Sequence, residues 1–371
     1  MVSVKAALFN LGLLGGVLAQ DLSIPALWQG TKSPLSRSQR DGIAHDAAAS
    51  LASSLNYYQD VVSGLSTTHL IASQFAVLAL QDWLSGNTSW ENQVKSPSQD
   101  WTQANGFFHD DTPGWDEPIY WSIVYFYAYR AYGLDPGLLS SAISAWQYVY
   151  DNAFISEADV ANGAGAGTAG RTFPYALPAD CFSNATIAGG VFYYKNRTSD
   201  TTINSESVGP FMAVSAYLYE ATSNATYLSA AQLSLDFMLN YLWNGTIVYD
   251  SFVTDSCSIP TKSAVLSYDQ AWFIEGLSVM ANITKNDTLT ALLLKAVPSV
   301  ITVPKWTDQS GVITEGDNAT QANLKSIFVR GLAEARRRNP GTPLANYIEA
   351  YITVQVQQVP SIILHRLLTH I

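Results

Sequence analysis

A chain of 371 residues and 40.3 kDa is long enough for one large core or for two to three ordinary domains of roughly 150 residues each. Hydrophobic residues make up 48% and charged residues only 13%, which excludes intrinsic disorder and leaves the surface to Ser, Thr, Asn, Gln and Tyr. With 19 Lys and Arg against 30 Asp and Glu, the formal charge is -11 and the pI about 4.8; such a surface repels phosphate backbones, so nucleic acid is not an expected partner.

The chain opens with Lys5 followed by an apolar run that ends Val17-Leu18-Ala19 before Gln20. This pattern predicts a cleaved secretory signal peptide over residues 1–19, too short to span a bilayer, and no transmembrane segment is expected. The product is then secreted, to the extracellular space or a cell wall. Residues 20–358 are expected to form a single domain, and 359–371 an apolar tail broken by Arg366, for which the sequence gives no role. Asn-X-Ser/Thr acceptors at Asn87, Asn184, Asn196, Asn224, Asn244, Asn282, Asn286 and Asn318 fit a glycoprotein whose glycans supply the solubility that scarce charges do not. Cys181 and Cys257 are the only cysteines, and in an oxidising compartment they are expected to form a structural disulfide between long loops.

Along the chain, apolar helical runs come in pairs with a Gly, Asn or Pro break between them. The pairs are 41–62 with 67–84, 120–136 with 138–149, 211–221 with 227–243, 271–283 with 289–297, and 327–338 with 344–356, and part of a further helix is expected near 90–101. Apolar residues recur at i, i+3, i+4 and i+7, as in Leu228, Ala231, Leu235, Met238, Leu239 and Leu242. Long loops at 151–202 and 244–267 do not suit an open solenoid of equal repeats. An all-α toroid of inner and outer helices, with the long loops gathered over a cleft on one face, suits the pattern better. The Gly-rich segment 162–170 has neither a preceding strand nor a following Lys-Ser/Thr, and reads as a flexible loop.

The five His at 45, 69, 109, 365 and 370 show no metal-ligand spacing, and no Gly-X-Ser-X-Gly elbow occurs. No metal and no cofactor are expected. What remains is carboxylates among aromatics: 109–121, Asp269, and 315–317. Asp116 and Glu117 precede Pro118 at the head of a strongly helical run. Glycoside hydrolysis needs two carboxyls flanking a sugar, one ionised and one protonated. Neighbours on a helix diverge by about 100°, so both can border one pocket from different sides. On spacing alone a second reading stands beside this one, in which Asp116 caps the helix and Glu117 decorates its first turn.

The segments Asp116-Glu-Pro-Ile-Tyr-Trp121, Gly189-Gly-Val-Phe-Tyr-Tyr194, Ile203-Asn204, Tyr268-Asp-Gln-Ala271 and Gly311-Val-Ile-Thr-Glu315 with Leu324 to Arg330 follow the order of fungal glycoside hydrolase family 76, which the chain resembles over about residues 40–340. The resemblance implies an (α/α)6 toroid and an endo-acting α-1,6-mannanase or related cell-wall enzyme. It implies retention through an adjacent Asp-Asp pair, with Asp116 as nucleophile and Glu117 in the place of the second Asp as general acid/base. It places Asn204, Tyr268 and Gln270 near the cleft. Departures are Glu117 for Asp, Pro118 for a polar residue, Asp269 for Asn and Ala271 for Gly. The literal pair Asp110-Asp111 lacks an aromatic helix behind it and is expected in a rim loop.

Tyr120, Trp121, Tyr268 and Trp272, with Asp269 among them, are then expected to supply sugar-binding and stacking surface, although helical aromatics also fill cores. The partner would be α-mannan polysaccharide or oligosaccharide, bound by a monomer. The alternatives are a catalytically silent mannan-binding or wall-scaffold protein on the same fold, and a toroidal glycosidase for acidic sugars. The latter needs basic residues in the cleft, where Lys195, Arg197 and Lys262 are the nearest.

Overall fold

The computed structural model describes residues 21–54, 68–108, 114–162, 171, 186–260, 263–314 and 319–369. The expected signal segment 1–19, the His109 to Asp111 loop, Cys181 and Lys262 lie outside them. Each expected pair of runs is a helical hairpin: α1 (Arg37–Ser54) with α2 (Thr68–Ser85), α4 (Asp116–Ala131) with α5 (Pro136–Asn152), α7 (Ser205–Thr222) with α8 (Ala225–Phe237), α9 (Ser267–Thr284) with α10 (Asp287–Ile301), and α11 (Ala319–Arg338) with α12 (Pro343–Thr369). The run near 90–101 is α3 (Glu91–Asn105), and a short α6 (Glu157–Asn162) precedes the Gly-rich segment. The tail from 359 continues α12 as far as Thr369. Among the described residues no helix is long and apolar enough to cross a membrane.

Polar breaks between the runs act as caps. Asp135, Asn224 and Asn286 each accept a backbone N–H of the helix that follows, from Gly137, Thr226 and Thr288, satisfying donors that have no partner inside the helix. Ser223 and Lys285 end their helices with φ of 57° and 53°, the left-handed turn that reverses the chain within two residues.

The helices form two layers. α4 packs against α2 on one side and α7 on the other, α7 against α9, and α9 against α11. α5, α8, α10 and α12 back the inner helices that precede them, and Arg337 of α11 lies 4.6 Å from the ring of Trp83 on α2, closing the circle. The inner layer accounts for the sequence of α4 and α9, in which residues 116–128 and 267–281 are buried without interruption. A helix apolar all round is covered all round.

Glycines set the closest approaches. A Cβ on Gly331 would sit 2.5 Å from the Ala271 carbonyl oxygen, and one on Gly276 would sit 2.5 Å from Met212 Cε. Because the Gly331 contact is with backbone, a Gly331→Ala variant should part α9 from α11 and lose about 1–3 kcal/mol of stability. Denaturant unfolding checks this, and an unchanged midpoint would mean that the pair has slack.

Two short strands escaped the sequence reading. β1 (Thr202–Asn204) pairs antiparallel with β2 (Ser251–Val253), Ile203 opposite Phe252. Three residues are too few to show alternation, yet the pair delivers the chain into α7.

Candidate active site

The inner helices run in one direction. Early residues of α4, α7 and α9 meet at one end through Tyr120, Glu206 and Tyr268, whereas late residues of α7, α9 and α11 meet at the other through Glu220, Asn282 and Arg338. The candidate dyad and the candidate binding residues therefore gather at the helix N-termini, where the backbone dipoles favour negative charge.

Chain entry to α4 is fixed by the loop 186–201. Gly114 bridges to Tyr194, and the Trp115 N–H donates to the Tyr193 carbonyl at 2.8 Å. Asp116 and Glu117 then occupy the first turn, 4% and 2% exposed. Glu117 Oε1 accepts the Gly114 N–H at 3.1 Å, a reach-back that satisfies a helix-terminal donor. Asp116 Oδ1 lies against Gly114, where a Cβ would come within 2.1 Å of it. Only glycine leaves that carboxyl its place.

A third carboxyl, which no motif of the sequence singles out, is joined to α4 through Tyr120. Glu206, half-buried on the first turn of α7, accepts the Tyr120 hydroxyl at 3.4 Å and the Tyr268 hydroxyl at 3.1 Å, one on each oxygen. Burial, then the charge of Asp250, lift it to about 7; the two phenols oppose the rise and Glu117 adds to it. Asp250, before β2, is itself pushed up by burial. Tyr193 completes the group, its phenol raised by burial and then by Asp116 and Glu206. The sign that would have found Glu206 is its position two residues after Asn204, in the acidic first turn of a Tyr-rich helix.

Several expected binding residues have other partners. Asn204 caps α7 by accepting the Ser207 N–H at 3.0 Å. Gln270 accepts the Val248 N–H at 2.7 Å and donates to the Val248 and Leu266 carbonyls, which ties the loop before β2 to α9. Trp121 and Trp272 have no exposed surface. Trp121 packs on Phe75 and Tyr125; Trp272 donates its indole N–H to the Tyr120 oxygen at 3.3 Å beneath the site, with the Arg330 guanidinium 4.4 Å from its ring. These are core residues, which corrects the stacking role expected of them. Tyr120 and Tyr268, 2% and 5% exposed, turn their hydroxyls to Glu206 and present no ring face as a platform. Asp269 is fully buried and accepts the Ser205 hydroxyl at 2.6 Å, while its second oxygen has no partner among the described residues. Burial, then Asp250, drives this carboxyl well up.

The basic residues beside the site are engaged. Lys195 lies 3.9 Å from the Phe108 ring and Arg197 4.1 Å from that of Tyr194. Arg171 donates to the carbonyls of Tyr194, Arg197 and Asp200. No group of His, Cys, Asp and Glu among the described residues is placed to hold a metal ion. The arrangement can bind a neutral polyol through carboxyls and phenols, pass a proton, and offer a carboxylate to an electrophilic carbon.

Comparison with known proteins gives consistent findings. The profile of glycosyl hydrolase family 76 matches residues 175–359. No curated protein matches the chain by sequence. The fold is similar to that of an inactive variant of an α-1,6-mannanase from Salegentibacter sp., two consecutive aspartates replaced by asparagine, in complex with α-1,6-mannotriose; the TM-score is 0.67 at 15% identity, over 86% of this chain and 87% of that one. It is similar to a family 76 mannosidase from Bacteroides thetaiotaomicron, with a TM-score of 0.58 at 14% identity over 85% and 98% of the two chains. It is also similar to Dfg5 from Chaetomium thermophilum in complex with glucosamine, at 0.60 and 16% over 82% and 75%. The ring of inner and outer helices is the α/α toroid of these structures.

Proposed function

Since the chain belongs to glycosyl hydrolase family 76, we propose that it is a secreted retaining glycosidase that cleaves or transfers α-1,6-linked mannose chains of fungal cell wall or glycoprotein mannan. The observation that carries this reading is a pair of consecutive carboxyls, Asp116 and Glu117, on the first turn of an inner helix whose Tyr120 bonds a third carboxyl, Glu206. In the mannanase relative, the variant altered at two consecutive aspartates is inactive; among the described residues of α4, Asp116 and Glu117 are consecutive carboxyls.

In this mechanism Asp116 attacks the anomeric carbon while Glu117 gives its proton to the departing glycosidic oxygen. The resulting glycosyl ester is released when Glu117 takes a proton from water, or from an acceptor hydroxyl in transfer. An acidic floor also suits an amino sugar such as the glucosamine held by Dfg5. Secretion accords with the expected signal segment. Acceptor residues Asn87, Asn196, Asn224, Asn244 and Asn286 are exposed, whereas Asn282 is half-buried and bonded to Arg338.

A binding role without turnover is favoured by one feature, the bond from the Gly114 N–H that holds Glu117 as a helix cap. Incubation with α-1,6-mannan oligosaccharides, with product masses read over time, separates the two. Shortened or extended chains support the enzyme; an unchanged mass spectrum with binding intact supports the binder. If Glu117 is the acid/base, Glu117→Gln should lose roughly 10²- to 10⁴-fold on mannan. It should recover much of that on a mannoside with an activated leaving group, and azide should yield a glycosyl azide of the original anomer. Equal losses on both substrates would take the proton-transfer role away from Glu117.

A further inference from the structure

The large rings of α4 and α9 belong to the core, but a different set of aromatics reaches the surface beside the dyad. The loop 186–201 takes the start of α4, through the Trp115 N–H on the Tyr193 carbonyl. It also takes the end of α5, through the Phe192 N–H on the Ala153 carbonyl at 3.2 Å. Tyr148, in the penultimate turn of α5, is thereby brought to Trp115, the residue before Asp116, with ring centroids 5.8 Å apart. Phe107 and Phe108, which follow the end of α3 at Gly106, complete the group. Both lie against Tyr148, at 5.7 and 5.9 Å, and Phe108 meets Trp115 edge to face at 5.5 Å. Lys195 of the same loop holds its Nζ 3.9 Å from the Phe108 ring.

The protein does not finish this cluster. Phe107 and Phe108 are half-buried, and Tyr148, on an outer helix, is 36% exposed. Trp115 is only 5% exposed, yet its indole N–H has no partner among the described residues. A buried indole ordinarily donates to an acceptor. Trp121 also leaves its N–H unpaired, but it is sealed among core rings, whereas Trp115 borders rings that solvent reaches. An open donor next to half-exposed rings suits a ligand that has apolar faces and oxygen acceptors together, and a neutral pyranose has both.

Resting on the reading of the chain as an α-1,6-mannan glycosidase that reacts at Asp116, we propose that Phe107, Phe108, Trp115 and Tyr148 form an outer subsite of the cleft. It holds a mannose unit of the chain beyond those at the reacting carboxyls. Tyr148 offers the ring on which the C–H face of the sugar packs, Phe107 and Phe108 fix the tilt of that ring, and the Trp115 indole N–H donates to a sugar oxygen. Continuity with the reaction comes from the backbone, because Trp115 and Asp116 are consecutive. A glycan seated on Trp115 therefore leads to the nucleophile. Being remote from the bond that breaks, the subsite strengthens the hold on long chains and leaves the chemical step unchanged.

Calorimetry on Asp116→Asn protein, in which turnover is silenced, tests this with α-1,6-mannan oligosaccharides from the disaccharide to the hexasaccharide. Affinity should rise with chain length. Adding Tyr148→Ala should erase that rise, a loss of about tenfold at the hexasaccharide, and leave the disaccharide unchanged. Tyr148→Phe keeps the ring and should bind like the parent. In the active protein, Tyr148→Ala should raise KM on long chains with kcat held. The Trp115 indole N–H resonance, assigned by its absence from Trp115→Phe, should shift with the hexasaccharide and stay in place with the disaccharide. Losses equal at every length, no loss at any length, or an indole resonance that no chain moves overturns the subsite and leaves the dyad reading standing. Length-dependent binding through Tyr148 in a protein that turns over no mannan sinks the proposed reaction and keeps the subsite. A wild type that binds no α-1,6-mannan at any length overturns both.

Discussion

Replacing Asp116 with Asn should lower turnover of α-1,6-mannan oligosaccharides by on the order of 10⁴-fold or more while oligosaccharide binding stays close to wild type. The amide has the size of the carboxylate and can still accept a hydrogen bond, but it cannot form the glycosyl ester. Location reinforces the expectation. Asp116 is buried on the first turn of α4, with Oδ1 seated against the Cα of Gly114, so a same-sized side chain keeps the floor intact. Gly114→Ala makes the converse test, since the added methyl would come within 2.1 Å of Asp116 Oδ1 and must displace the carboxyl that Asp116→Asn leaves in place. Displacement of about 1 Å is enough to cost roughly 10²-fold. Single-turnover kinetics with calorimetric binding measures both variants. Wild-type turnover in Asp116→Asn would remove Asp116 from the reaction.

The hairpins were legible because each helix repeats apolar residues at helical spacing and each break carries a residue that caps or reverses a chain, as Asn224 and Asn286 do. The starts of the inner helices were less legible. Helix α7 reads from the sequence as beginning at Phe211, yet it begins at Ser205. Ser205-Glu-Ser207 followed by Gly209-Pro210 looks like a loop, and Pro210 ordinarily breaks a helix. Near the N-terminus it costs little, since the bond it omits is one of the first the helix would make. Glu206 was hidden for that reason.

The aromatics misled in the opposite direction. Trp121 and Trp272 lie beside the motif that marks the site, but an inner helix is covered on every side, so its large rings fill the space between layers. Sequence proximity to Asp116 and Asp269 says nothing of which way a ring points. The small strands and the loop around Tyr193, which deliver Glu206 and Asp116 to one another, depend on pairings between distant segments that no local pattern encodes.

Glu275→Gln should destabilise the fold by about 3 kcal/mol or more, a larger loss than any substitution at the rim. Glu275 is fully buried in the middle of α9, where the Tyr127 and Tyr217 hydroxyls donate to Oε1 and Arg330 Nε approaches Oε2 at 3.7 Å. Around it lie Arg130, 4.1 Å from the Trp83 ring, and Glu334, which bonds Arg338 at 2.8 Å. Burial works against the Glu334 carboxylate, but the charge of Arg130 and bonds from Arg337 prevail and hold it down at about 2. Ion pairs between inner helices, Arg130 with Glu334, Arg330 with Glu275 and Arg338 with Glu220, are joined here by the pairs of Glu334 with Arg337 and Arg338 within α11. Gln keeps an acceptor for the tyrosines but leaves the Arg330 guanidinium without its counter-charge, and the cost of a buried unpaired charge exceeds that of a lost hydrogen bond. Adding Arg330→Met to Glu275→Gln should recover most of the loss, because the uncompensated charge is then gone. Equilibrium unfolding of the single and double variants decides it, and a single variant within 1 kcal/mol of wild type would show that another group balances Arg330. Since Arg330 also lies under Trp272 and so under Tyr120 and Glu206, Glu275→Gln material that stays folded should bind oligosaccharide more weakly than the double variant only if that column of contacts transmits the disturbance to the site.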